Sequence, residues 1–330
     1  MGFNFPNSPT TGQLYPQPPI AGAPVYQWDG QKWTVATGVA GTVYIGDSPP
    51  SNVPPGSLWW NSANGQLYVY YNDGNSTQWV YASQASVTPV TRSYLAGLTL
   101  STPGSSASFT VAAGVAADNS NVDMLTLVAS LSKTTAAWAA GAGGALDTGT
   151  IAINTWYHVH LIKNITTQIV DVLFSLSATS PALPSGYTEF RRIGSMKTDG
   201  SSNWIAFSQN GDEFLWSVPV FDLTISNLLG TTAITMTLAS VPTGVKVYAL
   251  GWTNQQGANT GSYIVSSLDT VDTAPATNGI GLTVLANAVN AYFMSIRTNT
   301  SAQFRGRANV ANVNFGFTTI GWIDHRGRDN

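Results

Sequence analysis

The side chains that could do chemistry in this chain are few. It has 330 residues, three histidines and no cysteine, and only 9% of it is charged, against roughly 25% in an ordinary soluble domain. Two histidines are spaced as His158-x-His160 in "TWYHVHLIKN". On a strand, residues i and i+2 share a face, so both imidazoles could turn to one ion. A zinc site wants three or four ligands, and no third is close in sequence. The expectation is therefore no metal, with His158 and His160 as ordinary groups on a half-exposed strand face and a metal pair as the alternative. The only glutamates are Glu189 and Glu213, the latter beside Asp212. Two carboxylates roughly 5–9 Å apart can cleave a glycosidic bond, but acids at turns and edges are ordinarily solvated, so no catalytic role is expected for them. Arg191 and Arg192 in "EFRRIG" could hold a carboxylate or phosphate. Strand neighbours face opposite sides, so one is expected exposed and the other paired with an acid such as Glu189 or Asp212.

What is missing narrows the chemistry further. Without cysteine there is no disulfide, thiol nucleophile or thiolate metal site, which suits folding in a reducing cytosol. No nucleophile elbow, Ser-His-Asp pattern or phosphate loop occurs. "NGDEF", Asn210 to Phe214, matches part of the GGDEF signature of diguanylate cyclases, but its first glycine is Asn210 and its surroundings read as β, so it is a hairpin turn. Neither an enzyme nor a cofactor is expected. The net charge of −3, with no basic run, argues against nucleic acid as a partner. No apolar run reaches the roughly 20 residues that span a bilayer, so membrane insertion is not expected. "MGFNFPNSPTTG" has neither the charge nor the apolar stretch of a secretory signal. It also has Pro6 where a myristoylation signal wants Ser or Thr.

The elements that must position these residues read as β throughout. Thr, Val, Ile and aromatics suit a pleated surface. In "TWYHVHLIKN", Tyr157, Val159 and Leu161 fall on one face and Trp156, His158, His160 and Ile162 on the other; Val170, Val172, Phe174 and Leu176 alternate likewise. Asp199-Gly200 and Asn210-Gly211 are turn signals at sandwich spacing. The Ala-rich "TTAAWAAGAGGALDTG" has helical propensity, but its glycines favour a strand edge or loop. "NVNFGFTTIGW" sets Val313, Phe315 and Phe317 against polar or small neighbours. No heptad repeat predicts a coiled coil.

The first 84 residues repeat themselves. Ser8-Pro9 matches Ser48-Pro49, Gly12-Gln-Leu14-Tyr15 matches Gly56-Ser-Leu58-Trp59, Asp29-Gly30 matches Asp73-Gly74, and Trp33 matches Trp79, with an offset drifting from 40 to 46 residues. A repeat of this length is one supersecondary unit. Asn64-Gly65 and Asp73-Gly74 are hairpin signals. Each unit reads as a small meander whose aromatics form its core and docking face: Leu14, Tyr15, Trp28 and Trp33 in one, and Leu58, Trp59, Trp60, Tyr68, Tyr70 and Trp79 in the other. The expected fold is all-β, with small repeated β-meander modules followed by two jelly-roll-like β-sandwiches. The expected divisions are 1–40, 41–84, 85–225 and 226–330.

"YIGDSPPSNVPPGSLWWNSANGQLYVYYNDGNSTQWV" resembles a short aromatic module of bacteriophage tail and other virion structural proteins. "NTWYHVHLIKN", the "LFSLSATSP…FRRIGS" segment and the closing "GWIDHRGR" resemble a β-sandwich block of phage tail-fibre proteins. The resemblance covers most of the chain and carries no active site. It implies a virion component assembled in the bacterial host cytoplasm. That component would be a homotrimeric tail fibre, attached to other virion proteins by its N-terminal modules and presenting its sandwiches to host-surface polysaccharide. The alternatives are a capsid decoration, collar or head-fibre protein, and then a depolymerase, for which neither a β-helix repeat nor a convincing acid pair is visible. For binding, the segment "GWTNQQGANTGSY" stands out as polar, Gly-rich and flanked by aromatics, as an exposed hairpin loop would be. Its candidates are Trp252, Asn254, Gln255, Gln256, Asn259 and Tyr263.

Overall fold

The computed structural model describes residues 4–17, 24–36, 43–82, 90–276 and 279–328. The expected boundaries at 40/41 and 84/85 lie outside them. Among the described residues every regular element is a strand, and one of the sheets curls into a half-barrel. The chain forms two compact units, Met1–Pro89 and Val90–Asn330.

In the first unit, β1 (Leu14–Tyr15), β2 (Tyr26–Trp28) and β3 (Trp33–Val35) make one three-stranded sheet. A second, four-stranded sheet contains β4 (Val43–Gly46), β5 (Leu58–Asn61), β6 (Gln66–Asn72) and β7 (Thr77–Tyr81), in that order. The repeat is one of backbone geometry. Gly12 and Gly56 both sit at φ +87°, a left-handed conformation that glycine adopts without strain. Gly12 N–H donates to Trp28 O and Gly56 N–H to Tyr70 O, both at 2.8 Å. The Asp29 carboxylate accepts from the N–H groups of Gln31 and Lys32, and the Asp73 carboxylate from those of Asn75 and Ser76. Trp28 pairs with Trp33, and Tyr70 with Trp79. The second hairpin is therefore two residues longer on each arm, which accounts for the last step in offset, from 44 at Asp29/Asp73 to 46 at Trp33/Trp79.

In the second unit, β8 (Leu95–Gly97), β9 (Leu100–Ser101), β10 (Ser108–Val111), β11 (Gly114–Ala117), β12 (Met124–Leu127), β13 (Leu131–Ala137) and β14 (Gly143–Leu146) are short. Three longer strands follow, β15 (Trp156–Asn164), β16 (Val170–Ser175) and β17 (Tyr187–Lys197). After β18 (Phe207–Asn210) comes β19 (Glu213–Leu229), the longest, then β20 (Ile234–Thr237), β21 (Tyr248–Gln256) and β22 (Gly261–Ser266). The last are β23 (Leu282–Val284), β24 (Asn290–Arg297), β25 (Gln303–Ala308) and β26 (Val313–Ile323). They form sheets ordered β17-β15-β16-β14-β13-β10-β9, β12-β11-β8, β18-β19-β26-β21-β24 and β20-β25-β22-β23. One contiguous apolar core, from Leu95 to Trp322, joins these sheets. Position 225/226 lies inside β19, whose ladder with β26 runs from Glu213↔Ile323 to Leu229↔Val313. The Ala-rich segment is strand and connection: β13 and β14 pair in parallel, and a Cβ on Gly144 would lie 1.9 Å from Ala137 O.

Candidate binding surface

The outer face of the five-stranded sheet carries side chains in register. Residues opposite one another on paired strands share a face. Phe221 opposes Thr318, Thr318 opposes Trp252, and Trp252 opposes Phe293, so one rung crosses four strands. The aromatic members are about half exposed: Phe221 57%, Trp252 48% and Phe293 50%. The Trp252 and Phe293 rings meet at 5.5 Å, tilted by 66°. Two residues along on β26, β21 and β24, and three on β19 across a register shift, the rung is Thr224, Gly316, Asn254 and Ala291, and beyond it Gln256 opposes Asn314. Between these rungs lies a groove of about 230 Å³ lined by Phe221, Thr224, Asn254, Gln256, Asn314 and Gly316, among others. Gly316 opens it, since a Cβ there would come within 3.2 Å of Leu223 O and 3.7 Å of the Asn254 Cβ.

Among the described residues no ionisable side chain lines the groove. Its chemistry is that of carboxamides, which donate and accept, beside aromatic faces that stack on apolar surface. That combination fits hydroxyl-rich neutral ligands.

The structure brings three of the six candidate binding residues to this face. Trp252, Asn254 and Gln256 point outward, while the alternation of β21 turns Gln255 inward, 1% exposed, with neither amide atom hydrogen-bonded. Tyr263 is fully buried, its hydroxyl 3.0 Å from Thr253 Oγ1, and burial pushes its phenol well above the usual range. Asn259 is exposed in the 257–260 connection. The expected hairpin is not formed. β21 pairs with β24 and β26, whereas β22 pairs with β23 and β25, so this segment crosses between two sheets. Its first half is buried-and-exposed strand, which its glycines and amides disguise. Phe221, Phe293 and Asn314 complete the surface and carried no local signal, except that Asn314 and Gly316 are the polar and small alternates of "NVNFGF".

The module residues are placed as a half-buried aromatic cluster. Phe5 stacks on Trp33 at 5.1 Å, and Tyr15 and Trp28 lie 6.0 and 5.6 Å from Trp33; Leu14 is half-buried beside them in sequence. In the second module Trp59 is 5% exposed and stacks on Tyr68 at 4.9 Å, and Tyr70 packs on Trp79 at 5.1 Å. Leu58 is half-buried, and Trp60 is turned out, 42% exposed.

His158 and His160 are not on a half-exposed face. β15 lies between β16 and β17, and residues Trp156 to Lys163 are all buried. His158 Nδ1 lies 2.9 Å from Ser195 Oγ, and His160 Nε2 3.0 Å from Ser177 O. Burial, the larger cause, and the Arg192 charge lower His158 to about 4; burial lowers His160 to about 3. Both imidazoles are neutral core groups. Among the described residues no three His, Asp or Glu side chains cluster as a metal site would.

Neither arginine of the pair is exposed. Arg192 makes a bidentate pair with Asp324, at 2.6 and 2.7 Å, in place of Glu189 or Asp212. Arg191 is 3% exposed and unpaired. Asp212 pairs instead with Arg326 and Arg328. Glu189 is raised by partial burial and by the neighbouring Asp118. Compared with protein-family models and with curated proteins, the sequence matches none.

Proposed function

We propose that the chain is a non-enzymatic bacteriophage virion protein, a tail fibre that binds neutral host-surface polysaccharide on the outer face of its five-stranded sheet. The observation that carries the binding role is the aromatic rung Phe221–Trp252–Phe293 beside the amides of Asn254, Gln256 and Asn314 on the next two rungs, with a groove over Gly316. Sugars offer apolar C–H faces for such rings and hydroxyls for such amides. In this reading the two N-terminal modules dock on other virion proteins, the first a β-meander and the second a β5–β7 meander that β4 joins in parallel, and the second unit is built of jelly-roll-like sandwiches. The resemblance of the module and of the "FRRIGS" block to phage tail proteins supports the virion part.

The test is adsorption of the purified chain to host cells and to host polysaccharide. Trp252→Ala and Asn254→Ala are each expected to weaken it about tenfold, the equivalent of roughly 1.4 kcal/mol. Undiminished adsorption by both variants would overturn the binding role. A virion density map placing the chain on the capsid would replace the tail fibre by a decoration, collar or head-fibre protein.

A second reading has its own observation. Val218 at 75% and Phe221 at 57% exposure extend an apolar strip along β19, and strips of this kind mark interfaces. The strip is then covered by further copies of the chain in a homotrimer. Light scattering of the native chain and of Val218→Lys decides it: a trimer that the substitution reduces to monomer supports this reading, and a native monomer rules it out.

A further inference from the structure

A second cavity, separate from the groove, lies where the edge strand β17 faces the β20–β21 connection, the end of β24 and the residues after β26. It holds about 510 Å³. Five cationic side chains line it, Arg191, Arg192, Lys246, Arg297 and Arg326, against one carboxylate, Asp324. Four of the five have acid partners. Arg192 holds Asp324, Arg326 holds Asp212 at 3.1 Å, and Lys246 and Arg297 share Asp269 at 2.7 and 3.5 Å.

Arg191 has none. It is 3% exposed, and neither its Nε nor its Nη2 finds a hydrogen-bond partner. Burial, and then the charges of Arg192, Arg328 and Arg326, oppose its protonation, with Asp118 offsetting a smaller part, yet a guanidinium does not give up its proton in a protein. A buried, unpaired guanidinium is among the most destabilising arrangements a fold can hold. The register slip at Ile193, where Val159 opposes Gly194 and His160 opposes Arg192, and the edge position of β17 bring both neighbouring arginines to one cavity, as a bulge re-aims side chains.

We propose that this cavity is an oxyanion site in which the forked Arg191 guanidinium receives a phosphate or carboxylate group, either free or carried on a sugar. Arginine's planar donors match both groups in a bidentate fashion. The site is independent of the neutral groove and of the fibre reading, and the arrangement of its charges excludes cations.

The test is calorimetric titration of the full chain, at constant ionic strength in chloride, with inorganic phosphate, glucose 1-phosphate, glucuronate and glucose. Binding of at least one of the three anions is expected, at least tenfold weakened in Arg191→Gln. Tighter binding of the sugar acids than of inorganic phosphate identifies a sugar-borne ligand; the reverse identifies free phosphate. No binding of any anion by the native chain overturns the proposal without recourse to a variant, as does glucose binding that Arg191→Gln weakens as much as it weakens glucose 1-phosphate. Phosphate stabilises any fold by exclusion from its surface, so melting is read only in anion-free buffer. There Arg191→Gln is expected to melt at or above the native temperature. A variant that melts well below it makes Arg191 a structural group and also overturns the assignment.

Discussion

His158 and His160 are held neutral by their surroundings, and that has a consequence for stability. Their folded pKa values, about 4 and about 3, lie below the 6.5 of an exposed imidazole. Above pH 6.5 neither state is protonated and the shift has no effect. As pH falls through 6.5 toward 4, the unfolded chain takes up protons that the folded chain refuses, so stability is lost across that window. The expected loss between pH 7 and pH 4.5 is on the order of a few kcal/mol, read from urea midpoints. A His158→Asn, His160→Gln double variant is expected to flatten the profile; an unchanged slope would place its cause elsewhere. Asp324 acts in a separate and lower window. Burial works against its charge, but Arg192 outweighs it and holds the carboxyl below 3.8, so its contribution is lost only on further acidification. The shared face of His158 and His160 was legible from their spacing. Their burial was not, because alternation reports which residues share a face and is silent on whether a second layer covers the other face.

At the scale of elements, the least legible segment is the one around β13 and β14. Alanine and glycine leave no periodic signal, and the parallel pairing depends on a contact far away in sequence. Lys133, fully buried, donates to Ala139 O at 2.8 Å and pairs with the buried Asp171 of β16 at 2.8 Å; Asp171 in turn accepts from Gly141 N–H at 2.8 Å. The pair pins the 138–142 connection to the next strand but one. Asp171→Ala removes one partner and leaves the other charge buried, which costs about 3–5 kcal/mol in comparable sites. The double variant Lys133→Met, Asp171→Leu should recover most of that loss, and failure to recover would mean that the loop's hydrogen bonds, not the unpaired charge, dominate. The N-terminal repeat was legible for the opposite reason. Its signals are local: a glycine at left-handed φ, and an Asp whose carboxylate caps its own turn. Tertiary context has little room to override them in a module so small.

The whole molecule raises the question of what folds alone. The second unit, Val90–Asn330, is compact by itself, and a chain beginning at Val90 is expected to unfold in one cooperative transition with the pH profile described above. Within that unit, the tryptophans tie early and late strands together. Trp322 of β26 lies 5.3 Å from Trp156 of β15, stacks on Phe214 at 5.0 Å within 7° of parallel, and meets Trp216 at 5.0 Å. Arg192 reaches across to Asp324. The sequence suggests a division near residue 225, but hydrophobic patterning does not reveal which strands interlock, and β19 runs through that position, with its pairing to β26 resuming at Leu229 after an irregularity that follows Ile225. Pieces 90–225 and 226–330 each lack half of this core. Each is therefore expected to be unfolded or aggregated alone, whereas the two mixed from denaturant should regain the far-UV and near-UV signals of 90–330. A well-dispersed amide spectrum from 226–330 by itself would show that its strands close a core of their own and that the tryptophan contacts only decorate the joint.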